Sequence, residues 1–183
     1  MKAVILFGDY AVGKKTIATY LCAITGFRFY EYPLRYDVLN NLFGKKTKMI
    51  ATQLEETVLG TLCAQEERGL VIPALWCFDQ PNGGVQVQSF ETFFTNAGVE
   101  VCFAELTAEY ETLLQRNRDR LAQEMHDDSI DLETSERDYF WHTDAFRYTS
   151  FPEDVQGKRY FRLDTTNLSP EEAADHIREA FRL

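Results

Sequence analysis

One short stretch limits what this chain can fold into more than any other. Residues 8–16 read Gly8, Asp9, Tyr10, Ala11, Val12, Gly13, Lys14, Lys15, Thr16. An apolar run, Ala3 to Phe7, precedes them, and Ile17 to Ile24 follows with helical spacing. The order is strand, glycine-framed loop, helix. The spacing G-x-x-x-x-G-K in that setting is the pattern of a phosphate-binding loop. Phosphate needs several inward-pointing N–H groups at once, and glycine tolerates the backbone angles that curl a loop around it. The helix behind adds the partial positive charge of its N-terminus. Lys14 supplies an ammonium for the terminal phosphates, and residues Gly8 to Thr16 are expected to bind the nucleotide. The usual pattern has Ser or Thr directly after the lysine, as a magnesium ligand. Here Lys15 stands there and the hydroxyl comes one later, at Thr16. Thr16 is therefore the loop's candidate metal residue, acting through water.

The 183 residues suit one domain, 1–183, with a sizeable core. The charge, 19 basic against 29 acidic residues, is −10, and no basic stripe interleaves with aromatics. No nucleic-acid partner is expected. The densest basic run, Lys45-Lys46-Thr47-Lys48, reads as solvated. Cys22, Cys63, Cys77 and Cys102 form no C-x-x-C pair and lie among apolar residues, which reads as buried free thiols in a reducing compartment. His126, His142 and His176 lack metal-ligand spacing. Met1-Lys2 leads straight into a strand, and no apolar run reaches membrane-spanning length. The expectation is a cytoplasmic protein with no membrane partner; its oligomeric state is left open.

Along the chain, apolar runs at Lys2–Phe7, Leu70–Trp76 and Val99–Leu106 read as buried strands, the second despite Pro73. Phe27–Tyr32 and Arg159–Asp164 add two more. Helical spacing predicts helices over about Gly13–Ile24, Leu34–Phe43, Thr47–Arg68, Ser89–Ala97, Ala108–Ala122 and Tyr139–Tyr148. Ser169-Pro170-Glu171-Glu172 is a capping box with proline at the first helical position, so a closing helix runs over Pro170–Arg182. Glu124 to Asp138 is polar, acidic and too long for an ordinary connection, which suggests a mobile functional segment. Strands and helices alternate, so the class is α/β with a parallel sheet.

Asp79 follows a buried run, and ligands of open α/β sheets gather at strand carboxyl ends. It is a candidate for holding magnesium through water or orienting an acceptor hydroxyl; a solvated loop cap is the plainer alternative.

The loop, the strand end Trp76-Cys77-Phe78-Asp79, the arginine-rich stretch Arg116-Asn117-Arg118-Asp119-Arg120 and the run Asp164 to Ser169 come in an order that resembles small P-loop kinases of the nucleoside-monophosphate-kinase and shikimate-kinase group. The chain is most similar to bacterial ATPases often labelled shikimate-kinase-like or AAA-like. The resemblance implies a three-layer P-loop NTPase fold, a five-stranded parallel sheet with helices on both faces, and a lid at about 124–138. It implies ATP and Mg2+ as cofactors and a small-molecule acceptor as partner. It gives Arg116 and Arg120 a role in neutralising the transferred phosphoryl, with Arg137 a further lid arginine. It places adenine near Thr165, Thr166 and Asn167, and the acceptor near Arg35 and Asp37. Each has a plainer alternative: helix-dipole pairing for the arginines and for Asp37, and a helix entry loop for Thr165 to Asn167. Departures from the group are Lys15, the absence of an arginine after Asp79, and the acidity of residues 124–138.

The expected function is transfer of the γ-phosphoryl of ATP to a small molecule, with Lys14, Asp79, Arg116 and Arg120 carrying the chemistry. The alternative is a nucleotide-binding ATPase-like or regulatory module with little transferase activity, which Lys15 and the acidic segment favour. No N-K-x-D run supports a GTPase, and the loop is not the G-x-G-x-x-G of a dehydrogenase.

Overall fold

The computed structural model describes residues 1–30, 36–65, 68–124 and 145–183. Five strands form one parallel sheet: β1 (Lys2–Gly8), β2 (Arg28–Phe29), β3 (Gly69–Pro73), β4 (Glu100–Thr107) and β5 (Arg159–Asp164), in the order β2-β3-β1-β4-β5. The described helices are α1 (Lys14–Thr25), α2 (Tyr36–Phe43), α3 (Thr47–Ala64), α4 (Val85–Asn96), α5 (Tyr110–Glu124) and α6 (Pro170–Phe181).

The continuous apolar sequence of β1 has its explanation in two-sided burial. Ala3 to Phe7 are fully buried, and alternate side chains enter different clusters. Val4 and Leu6 meet Ile17 and Leu21 of α1, Leu113 and Leu114 of α5, and Ile177 and Phe181 of α6. Ala3, Ile5 and Phe7 meet Leu59 of α3 and Phe90 and Phe94 of α4. The sheet therefore has a helical layer on each face, as expected.

Some bounds differ from the sequence expectation. β2 shortens to two residues, although the Tyr30 N–H still donates to the Val71 carbonyl at 2.9 Å. β3 stops at Pro73 and does not continue to Trp76. Pro73 has no N–H to donate, although the Ala74 N–H beyond it still reaches the Leu6 carbonyl of β1 at 2.8 Å. α4 starts at Val85, four residues before Ser89, and α3 ends at Ala64. The closing helix has its expected cap: the Glu172 N–H donates to Ser169 Oγ at 3.2 Å, and the Ser169 N–H to Glu172 Oε2 at 2.8 Å. The expected Tyr139–Tyr148 helix lies outside the described residues up to 144, and Arg147 and Tyr148 are irregular. Residues 125–138 of the expected lid, with Arg137, also lie outside them. The four thiols are free, but only Cys102 is fully buried, so the expectation of four buried thiols is corrected for Cys22, Cys63 and Cys77.

Candidate functional site

The glycine-framed loop joins β1 to α1 in the central position of the sheet. Gly8 has φ 141°, and a Cβ there would sit 2.2 Å from the Leu106 carbonyl oxygen of β4. Only glycine allows that approach. Gly13 caps α1 with φ 94°, and Ala11 takes φ 55°, a left-handed conformation uncommon outside glycine. Lys14 Nζ donates to the carbonyls of Gly8 at 2.9 Å and Asp9 at 2.6 Å. Burial pushes this ammonium down to about 8, against a smaller upward pull from Asp9. Burial likewise raises Asp9, whose Oδ1 accepts the Tyr10 N–H at 2.6 Å. Outside the loop, Tyr10 packs edge-on against Tyr148, with ring centroids 5.5 Å apart.

Beside the loop is a cavity of about 550 Å³. Residues Ala11 to Ile17 line one side; Arg116, Asp119 and Arg120 of α5 line another; Thr165, Leu168 and Pro170 close it. Of the residues expected at a nucleotide, Ala11, Val12, Gly13, Lys14, Lys15, Thr16, Arg116, Arg120 and Thr165 thus come together. Gly8, Asp9 and Tyr10 shape the loop from behind, and Thr166 and Asn167 do not line the cavity. Thr166 Oγ1 donates to Asp164 at 2.6 Å and accepts the Glu109 N–H at 2.9 Å, which holds the loop after β5 against the start of α5.

Arg116 is anchored to that same loop. Its Nη2 donates to the Thr165 carbonyl at 2.6 Å, and its Nη1 to Thr165 Oγ1 at 3.1 Å and the Val12 carbonyl at 3.5 Å. Thr165 is 1% exposed and is itself held by Thr107 through its N–H and hydroxyl at 2.8 and 3.0 Å. These bonds set Arg116 between the glycine-framed loop and the loop after β5.

Asp79 follows β3 at the carboxyl end of the sheet, but among the described residues it does not line this cavity. Its Oδ1 accepts the Cys77 thiol at 3.0 Å and its Oδ2 the Arg147 N–H at 3.0 Å. These two bonds hold its carboxyl below the usual carboxylate range. The Phe78 N–H donates to the Arg147 carbonyl at 2.8 Å, so the chain around 147 is tied to the end of β3.

Three residues beyond Arg147, Ser150 meets a group that sequence reasoning missed. Glu105 of β4 is fully buried. Its carboxylate accepts the Ser150 N–H at 2.9 Å, the Ser150 hydroxyl and the Tyr160 hydroxyl at 2.5 Å each, and Arg162 Nε at 3.1 Å. The signal was a single charge inside the apolar run Val101 to Leu106. The residues that answer it stand more than forty positions away.

A second cleft, of about 620 Å³, lies between α3 and α4. Parallel strands require α3 to run back toward the start of β3, so its first half stands at the carboxyl end of the sheet, where α4 begins. Lys48, Thr52, Glu55 and Glu56 face Asn82, Gln86 and Ser89 over an apolar floor of Leu59, Phe90 and Phe93. The buried Tyr30 hydroxyl donates to Glu55 Oε1 at 3.1 Å. Burial is the main cause that raises the Glu55 carboxyl. Asp37 lies in the first turn of α2, and Arg35 is outside the described residues. Among the described residues no group of three or more His, Cys, Asp and Glu could hold a metal, and no helix is long and apolar enough to cross a membrane.

No protein-family model matches the sequence, and no curated protein matches it. Solved structures do match in fold. A provisionally named kinase from Chloroflexus aurantiacus is 16% identical, with TM-score 0.66 over 98% of this chain and 97% of its own. The tunicamycin resistance protein of Deinococcus radiodurans is 15% identical, with TM-score 0.60 over 100% of this chain and 97% of its own. The APS kinase of Mycobacterium tuberculosis, solved with AMPPNP and APS, is 16% identical, with TM-score 0.56 over 100% and 98%. At these identities the likeness is one of architecture: the chain has the three-layer P-loop fold found in small-molecule kinases.

Proposed function

We propose, for a chain with the fold of the small P-loop kinases, that it transfers the γ-phosphoryl of ATP to a small hydroxyl-bearing molecule. The observation that carries this reading is the convergence of the phosphate loop, Lys14, Arg116 and Arg120 on one cavity. The nucleotide's phosphates lie on the loop amides, where Lys14 exchanges its two carbonyl partners for phosphate oxygens. Its base and ribose lie toward Arg116, Thr165 and Leu168. Arg120 neutralises charge at the phosphate end. Catalysis of this kind rests on positioning and electrostatics, with little covalent work for the protein.

The acceptor enters the cleft between α3 and α4. Its carboxylates, amides and hydroxyls suit a polyhydroxylated molecule, and Phe90 and Phe93 suit the apolar face of a ring. Arg35 and Asp37 remain candidates on this acceptor side, and Asp79 for orienting the reacting hydroxyl. Magnesium takes hard oxygen ligands and keeps several waters. Among the described residues the side-chain oxygens around the cavity are those of Thr16, Asp119 and Thr165, the last engaged with Thr107. That set fits an ion held mainly by phosphates and water, with Thr16 as the loop's contribution and Asp79 further out. The ion would stabilise negative charge on the phosphates.

Lys15 in the usual ligand position favours a second reading, a nucleotide-binding module with little transferase activity. The test is twofold. ADP and ATP should raise the melting temperature; a ligand at a hundred times its Kd adds about 2.7 kcal/mol. Lys14→Ala should largely remove the shift. A screen of polyols and sugars for stimulated ADP release then separates kinase from module. A melting temperature unmoved by any nucleotide, with or without magnesium, would overturn both readings.

A further inference from the structure

The apolar stripe of α5 is broken by one polar residue. Leu113, Leu114 and Leu121 are buried at helical spacing, and Asn117 stands among them at 4% exposure. Its Oδ1 accepts Arg120 Nη2 at 3.1 Å. That bond fixes which way the amide faces, because a guanidinium can only donate. The opposite end, Nδ2, is then a donor fully withdrawn from solvent with no hydrogen-bond partner among the described residues. A buried donor without an acceptor loses its hydration for nothing in return. Leucine at 117 would continue the stripe and remove that loss. The fold alone therefore gives no reason for asparagine here, whereas the Oδ1 bond does.

The bond has one visible consequence: it restrains the side chain of Arg120, three residues on. Arg120 lines the nucleotide cavity, and so do Arg116 and Asp119 on the same helix. Arg116 is held from outside the helix by Thr165 and Val12. Arg120 has a restraint inside its own helix. An arginine free to take many rotamers loses that freedom on meeting a phosphate, and one already held does not.

We propose that Asn117 is a positioning residue for Arg120, holding its guanidinium at the phosphate end of the cavity so that it meets the γ-phosphoryl group. This rests on the phosphotransfer reading above. It assigns Asn117 a role through Arg120, with no contact to the nucleotide.

The experiment compares the affinities of ADP and AMPPNP by calorimetry, with magnesium, for the wild type, Asn117→Leu, Asn117→Asp, Arg120→Ala and the Asn117→Leu/Arg120→Ala double variant. Neither nucleotide requires the acceptor to be known. Asn117→Leu should melt no lower than the wild type and bind ADP within twofold of it. Its preference for AMPPNP over ADP should fall about tenfold. Asn117→Asp keeps an oxygen for Arg120 and should restore most of that preference. Arg120→Ala should lose the preference as well, and the double variant should lose no more than Arg120→Ala alone, since both act through one guanidinium. If Asn117→Leu does not fold, Asn117→Asp and Asn117→Ala make the same comparison. A preference unchanged in Asn117→Leu, or losses that multiply in the double variant, would overturn the assignment. A wild type that binds neither nucleotide would overturn the phosphotransfer reading and take this inference with it.

Discussion

Lys14 carries a measurable pH signature. Burial brings its ammonium to about 8, below the 10.5 of an exposed lysine. The unfolded chain thus keeps a proton that the folded chain loses as pH rises from about 8 to 10.5. Folding stability from this group increases with pH across that window. Nucleotide binding works in the opposite sense, because phosphate favours the charged form. ADP binding at pH 8.5 should therefore draw a proton onto the protein, and at pH 6.5 it should draw none through Lys14. Binding enthalpies measured in two buffers of different ionisation enthalpy report the difference. Equal proton uptake at both pH values would mean that Lys14 stays charged throughout. Glu105 makes a second residue-level prediction, on stability. Its removal leaves the Ser150 N–H and hydroxyl and the Tyr160 hydroxyl without their acceptor, while water can reach half-exposed Arg162. Glu105→Ala should cost about 3 kcal/mol in urea unfolding, the low end for a broken buried pair.

Elements whose chemistry is local were legible in the sequence. A phosphate-binding loop needs glycines at fixed spacing between a strand and a helix, and Gly8 and Gly13 both take positive φ. The start of α6 needs Ser169, Pro170 and Glu172, and all three are in place. Ser169→Ala should cost about 1 kcal/mol, which lowers the melting temperature of a domain this size by about 2–4 °C. A scanning calorimeter resolves that, and Glu172→Ala should give a smaller loss through the other half of the box. What depends on distant partners was not legible. Nothing near Glu105 announces Ser150, Tyr160 and Arg162. Arg116 and Arg120 have the same residue type and share a helix face, yet one is tied to Thr165 and the other to Asn117. Their spacing gave the face, and only the neighbouring loop separates their positions. The two-residue length of β2 likewise could not be read from the alternation of Phe27 to Tyr32.

At the scale of the whole molecule, the two proposed binding regions rest on opposite faces of the sheet and have to meet at its carboxyl end for transfer to occur. The nucleotide cavity is built on α1, α5 and the loop before α6, above the cluster that holds Val4, Leu6, Ile17 and Phe181. The cleft between α3 and α4 stands on the other cluster, with Leu59, Phe90 and Phe94. Among the described residues the two share no lining residue. Substitutions without common partners usually act independently. Glu55→Gln should therefore leave the ADP-induced rise in melting temperature as it is in the wild type. Once a screen supplies an acceptor, the same substitution should raise its KM severalfold with little change in the KM for ATP. Lys14→Ala should do the reverse, abolishing nucleotide binding and leaving the cleft intact. The geometry also gives the sign of a control at Phe90, which lies on the floor of the cleft and in the core together. Phe90→Ala should lower stability by about 3–5 kcal/mol as well as acceptor affinity, and so cannot by itself place the acceptor. Glu55→Gln, half-buried and bonded only to Tyr30 in the described structure, separates the two effects. An ADP response that falls with Glu55→Gln, at unchanged stability, would mean that the two regions do not act independently.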